Sequence, residues 1–145
     1  ENVSEKPAKN LAKDFPKDFP KDFSGGDLPM QRLPALGQSQ GDGFGAAMAL
    51  DEDTLAVAAP FDGQAGPRAG AVYVFHKTRD KAGRDRWRQT ARLAAARPQD
   101  HALFGSSLSL KGTRLLVGAP GETVQGQSNA GAVHVFEEGR NGRWR

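Results

Sequence analysis

Cysteine is absent from the 145 residues, which removes disulfide frameworks, thiolate nucleophiles and Cys-ligated zinc together. That absence is neutral about compartment, since exported bacterial proteins often manage without cystine. No apolar run approaches the ~18 residues that a helical membrane span needs, so none is expected. The three histidines, His76, His101 and His134, form no His-x-x-x-His or His-Glu pair, and the Gly-x-Ser-x-Gly nucleophile elbow is missing. What remains is a chain with 37% hydrophobic and 26% charged residues, 18 Gly and 9 Pro. It is too apolar for a wholly disordered chain and too rich in turn formers for a helical bundle. The length suits one ordinary domain, and the start at Glu1 leads us to expect a processed or excised product.

The formal net charge is +3, and the excess of cations lies beyond residue 27. Lys77–Arg97 holds eight of them (Lys77, Arg79, Lys81, Arg84, Arg86, Arg88, Arg92, Arg97) against Asp80 and Asp85 alone. Such a patch could meet a polyanion, but a solvated hairpin that keeps a sheet edge from aggregating explains it more simply. No nucleic-acid partner is expected.

Residues 1–27 cannot build a core. Lys13-Asp14-Phe15-Pro16, Lys17-Asp18-Phe19-Pro20 and Lys21-Asp22-Phe23-Ser24 repeat a tetrapeptide in which Pro blocks helix and each Phe stands among charges. We expect a disordered, extended linker, with the three Phe rings as the alternative of a short recognition motif. Asn2-Val3-Ser4 fits the glycosylation acceptor pattern, a match frequent by chance.

From residue 28 the chain repeats itself. Leu33, Phe44, Gly45, Leu50, Leu55, Val57, Ala59 and Pro60 return sixty positions later as Leu93, Phe104, Gly105, Leu110, Leu115, Val117, Ala119 and Pro120. One residue then enters a loop, and Gly70-Ala71-Val72-Tyr73-Val74-Phe75 returns as Gly131-Ala132-Val133-His134-Val135-Phe136. An insertion confined to a loop, with apolar runs in step on either side, marks a structural repeat with units at about 28–86 and 87–145.

Each unit predicts four strands, in the first unit Phe44–Leu50, Thr54–Ala59, Gly70–Phe75 and Trp87–Leu93, with Pro60 and Pro120 ending the second strand. Only Ala91–Arg97 could pass for helix, and its match to the segment from Gln31 argues against that. The third strand is apolar at nearly every position, so both sheet faces should be covered. Small sheets stacked around an axis, as propeller blades are, meet that demand, and the fold class expected is all-β with about two four-stranded β-propeller blades. Gly45 and Gly105 would permit close approach, Phe44 and Phe104 would fill the space between blades, and Ala46-Ala47 and Ser106-Ser107 would suit a crowded centre. Trp87 and its copy Trp144 should open the outermost strand with their N–H groups in water.

Phe104-Gly105 followed by Gly118-Ala119-Pro120, with looser copies at Phe44-Gly45 and Ala58-Ala59-Pro60, resembles the FG-GAP repeat over residues 28–145. The resemblance implies a β-propeller like that of integrin α-chains and related bacterial surface and secreted proteins, with a role in recognition and adhesion. The Asp-rich calcium loop of many such repeats has no counterpart in Asp51-Glu52-Asp53-Thr54 or Lys111-Gly112-Thr113-Arg114, so neither calcium nor another cofactor is expected.

Catalysis would need convergent polar groups, and loop carboxylates such as Asp42, Asp62, Asp100 and Glu122 are an ordinary solubility pattern; no enzyme is expected. Binding should live in the loops Phe61–Ala69 and Gly121–Ala130, which successive blades bring to one rim. The candidate ligand-binding residues are Asp62, Gln64, Arg68, Glu122, Gln125 and Asn129, for a protein or glycan ligand. The alternatives are a propeller lectin and an accessory domain of an exported hydrolase. Secretion, periplasm or cell surface is the expected location. Two blades would leave apolar faces bare, so self-assembly to close a propeller is a further expectation, with Gln31-Arg32-Leu33 as the segment that completes an outer strand.

Overall fold

The computed structural model describes residues 31–33 and 35–145, so the tetrapeptide repeats, Asn2-Val3-Ser4 and the expected linker lie outside the described residues. Seven strands follow in order: β1 (Met48–Asp51), β2 (Thr54–Ala59), β3 (Ala71–Arg79), β4 (Asp85–Leu93), β5 (Ser107–Lys111), β6 (Arg114–Ala119) and β7 (Ala132–Glu137). They form two antiparallel meanders, β1-β2-β3-β4 and β5-β6-β7. A bridge between Glu138 and Trp144 starts a fourth strand in the second sheet, in the register that pairs Lys77 with Trp87 in the first. The fold is all-β, with two blades of propeller type, as the repeat predicts.

Strands form where short Val-, Leu- and Ala-rich runs are bounded by turn residues, and each unit spends them the same way. Both second strands stop one residue before their proline, β2 at Ala59 and β6 at Ala119. β1 begins later than the expected Phe44–Gly45, because Gly45 bends through a φ of 96°. Its N–H nevertheless bonds the Ala58 carbonyl at 2.9 Å, so pairing starts ahead of the regular strand. β3 and β4 run past the expected ends, because Asp80 closes their hairpin by accepting the N–H groups of Ala82 and Arg84, each at 2.9 Å. A bulge opposite Val74/Phe75 leaves Thr90 out of register, with its hydroxyl on the Val74 carbonyl.

Pairing assigns each residue to a face. Ala56, Ala58, Val72, Val74 and Leu93 lie on one face of the first blade. They are buried in one cluster with Phe104, Leu115, Val117 and Ala119 of the second, and Leu108, Leu110, Phe136 and Trp144 pack against it. A second cluster holds the opposite face of the first blade, Val57, Ala59, Tyr73 and Phe75, with Ala35 and flanking Leu33, Phe44 and Trp87. Leu33 and Ala35 thus serve one cluster as Leu93 and Ala95 serve the other. Phe104 fills the space between the blades, and a Cβ on Gly105 would come within 3.0 Å of the Ala58 Cβ.

Two expectations fail. Ala46, Ser106 and Ser107 are exposed, although β5 lies against β1 and β2 of the first blade. The Trp144 indole N–H is buried without a hydrogen-bond partner, because the ring packs into the interblade cluster instead of capping a wet edge.

Candidate functional site

The two long loops reach one rim because the segment before Phe104 ties them together. His101, Leu103 and Phe104 donate their N–H groups to the carbonyls of Pro67, Arg68 and Ala69 at 2.7, 3.1 and 3.0 Å, and Gly121 donates to Ala102 at 3.0 Å. The Gln99 amide then clasps Thr123 from both sides, accepting its N–H at 2.9 Å and donating to its carbonyl at 3.1 Å. Such a chain of bonds holds loop backbone that no ladder satisfies.

Asp62 anchors the first loop. It is 1% exposed and accepts from the Tyr73 hydroxyl at 2.8 Å, the Arg92 guanidinium at 2.7 Å and the Gln64 N–H at 2.9 Å. Arg92 also lies over the Tyr73 ring, 5.8 Å from its centroid. Burial, and next the hydrogen bond to Asp62, push the Tyr73 phenol above its ordinary value of 10.0. The second loop repeats the device with other residues: Glu122 meets the His134 ring at 2.6 Å. Asp62 and Glu122 therefore brace the loops from inside, and their carboxylates are committed to internal partners.

The other candidates face outward. Gln64 donates to the Gly37 carbonyl at 3.3 Å and remains exposed. Arg68 stacks 5.2 Å over the Phe61 ring. Gln125 and Gly126 form the tip of a two-residue turn, both with positive φ, between the bridged Val124 and Gln127. Asn129 and Arg68 hold equivalent positions, and both adopt left-handed backbone at φ 55° and 51°. Exposed side chains on such tied loops suit recognition through amides and one guanidinium. Phe61 was missed by the sequence reading. Its signal is a large apolar residue, 43% exposed, where the second unit has Gly121.

The basic hairpin proves largely neutralised. Lys77 pairs with Asp53 at 2.7 Å, Arg79 with Asp85 at 3.2 Å, and Arg84 and Arg86 with Asp80 at 3.1 and 3.3 Å. With Arg92 on Asp62, five of the eight cations sit in ion pairs. The Asp51 carboxylate, in the turn where some related repeats place calcium ligands, accepts the Gly112 N–H of the other blade's turn.

A family model described as FG-GAP repeat matches residues 29–75 and 87–136, more than half of the chain and one match per sequence repeat. No curated protein matches the chain.

Proposed function

The chain belongs to the FG-GAP repeat family, and from that premise we propose that it is a non-enzymatic binding module of an exported β-propeller protein, secreted, periplasmic or on the cell surface. FG-GAP repeats occur generally in extracellular and cell-surface proteins, which supports that location. The observation that carries the reading is the tied rim, where Gln64, Arg68, Gln125 and Asn129 stand outward on loops whose acidic groups, Asp62 and Glu122, are engaged inside. With Asp62 and Glu122 already paired, the two loops offer recognition surface in place of proton transfer at those carboxylates. The preferred ligand is a protein.

Phe61 favours a second reading. An exposed aromatic ring held by Arg68 among amide side chains suits the apolar face of a sugar. Probing the full chain and its Gln125→Ala/Asn129→Ala and Phe61→Ala variants on arrays of purified extracellular proteins and of glycans separates the two. Protein binding lost in the double variant supports the rim. Sugar-competed binding lost in Phe61→Ala overturns the protein preference in favour of a lectin. Binding that no rim variant weakens overturns both.

A further inference from the structure

The interblade packing buries one face of the first blade against the opposite face of the second; the first blade's other face is covered by Leu33, Ala35 and Phe44 except at β1, and the second blade's other face is bare. On the second blade, paired residues put Ser107, Gly118 and Val133 in one row and Ser109, Leu116 and Val135 in the next. Val133 is 68% exposed, Val135 57% and Leu116 37%, whereas their equivalents Val72, Val74 and Ala56 are fully buried beneath the second blade. A shallow open groove lined by Ser109, Lys111, Arg114 and Leu116 continues the same face. At the other end, Met48 and Leu50 of β1 are 66% and 63% exposed, while their equivalents Leu108 and Leu110 pack into the interblade cluster. One bare surface thus matches the lower half of the interblade interface, and Met48 and Leu50 are the exposed part of its upper half.

We propose that this chain self-associates head to tail, the Leu116–Val133–Val135 face of one copy covering the Met48–Leu50 face of the next, in the geometry that the two blades already adopt within one chain. Charge decides for a second copy. Inside the chain two polar contacts that involve a side chain cross between the blades: His76 with Glu138 at 3.3 Å, and the Asp51 carboxylate with the Gly112 N–H. Shifting each by one repeat puts Glu137, which also holds Arg114 at 2.6 Å, opposite Lys77 of the next copy, which also holds Asp53 at 2.7 Å, and Lys111 opposite Glu52. Both crossings become opposite-charge pairs, which favours correct register.

A third crossing follows from the repeat. Arg92-Leu93-Ala94-Ala95 and Arg32-Leu33-Pro34-Ala35 share Arg-Leu-x-Ala at a spacing of sixty. Leu33 and Ala35 hold the cluster places that Leu93 and Ala95 hold one blade later. Arg92 sits beside Tyr73 in the β3–β4 ladder and neutralises Asp62. The equivalent pair in the second blade is His134 with Glu122. Arg32 of a second copy falls at the matching register position and binds Glu122 there. Because the two surfaces differ, the contact is heterologous, and it closes a ring when the rotation between blades divides a full turn.

Sedimentation velocity on the full chain tests this across a concentration series up to ~100 μM. The expected result is multiples of the 15.5 kDa protomer. Val135→Asp and Met48→Asp each give monomers with unchanged circular dichroism melts, since both residues are exposed. Mixed together, these two variants form dimers and nothing larger, because each retains the surface that the other lost. Arg32→Glu weakens association at least tenfold, and Glu122→Arg on the second molecule restores it. A monomeric wild-type chain overturns the proposal, as does association indifferent to Val135→Asp. Loss of association in Val135→Asp with none in Met48→Asp signals a symmetric face-to-face dimer and also overturns it. An Arg32→Glu chain that assembles like wild type removes the arginine contact.

Discussion

Leu115 and Leu116 are neighbours on β6 that point to opposite faces, which makes them a direct test of how the blades pack. Leu115 is fully buried in the interblade cluster, among Val72, Val74 and Phe104, whereas Leu116 lies on the bare face. Leu115→Ala removes about three carbon groups at ~0.8 kcal/mol each and leaves a cavity between two sheets that their own ladders prevent from collapsing. The expected loss is about 3 kcal/mol. For the ~110 residues from Leu33 onward, at about 4 °C per kcal/mol, that lowers Tm by roughly 12 °C. Leu116→Ala, measured at a dilution where the chain is dispersed, costs under about 1 kcal/mol.

Urea unfolding followed by tryptophan fluorescence suits the measurement, because Trp87 flanks one apolar cluster and Trp144 the other. Leu115→Ala should shift the signal from both rings if the interblade layer is the common core. A loss below about 1 kcal/mol at Leu115, or equal losses at the two leucines, would refute the facing assigned here to β6.

Tyr73 is the chain's only tyrosine, so alkaline absorbance titration reports it alone. The native protein should ionise above 10.0 and the urea-unfolded chain at 10.0; the stability it contributes is complete below pH 10.0 and fades as pH rises through the raised native value. A native midpoint at or below 10.0 contradicts the buried bond to Asp62. Asp80 is held at about 2, chiefly by the Arg84 N–H, with Arg86 and Ala82 assisting. Its contribution is present above the ordinary carboxylate range and disappears as pH falls toward 2; a carboxyl NMR midpoint near ~4 sinks that assignment. Gly45→Ala and Gly105→Ala both place a side chain at positive φ, but only Gly105 has Ala58 and the Ala71 carbonyl within 3.1 Å. In thermal melts Gly105→Ala should therefore cost about 1–3 kcal/mol more than Gly45→Ala, and equal costs would deny the close approach at Gly105.

Much of the fold was legible because the chain states it twice. The alignment of Leu55, Val57 and Ala59 with Leu115, Val117 and Ala119 located both second strands to the residue, and Pro60 and Pro120 marked their ends. Burial of both faces followed from the unbroken apolar run Ala71–Phe75 and holds for β3 alone; the same run in β7 has one bare face. That two blades leave apolar faces bare was expected from the repeat count; which pattern is covered and which is bare depends on what stacks on it. The loops were legible as loops, but not which of their polar residues look outward. Asp62 looks like any turn aspartate until Arg92, thirty positions on, is brought beside it by the β3–β4 ladder. Gln99, which clasps Thr123, has no local signature at all.

The pair at each loop root shows what the repeat preserves when its residues change. In the first blade a short acid, Asp62, meets a long ring system, Tyr73, whose hydroxyl extends one atom beyond the ring. In the second the ring is the shorter imidazole of His134, and the acid is Glu122, longer by one methylene. Reach lost on one side of the bond is regained on the other, and the contact stays within 2.6–2.8 Å. What recurs is therefore a bond of fixed span between loop and third strand, and no particular residue. A loop braced this way can change its outward side chains, Gln64 and Arg68 in one blade, Gln125 and Asn129 in the other, without losing its place on the rim. The proposed recognition side chains and the stabilising bond thus lie on opposite sides of the same short segment.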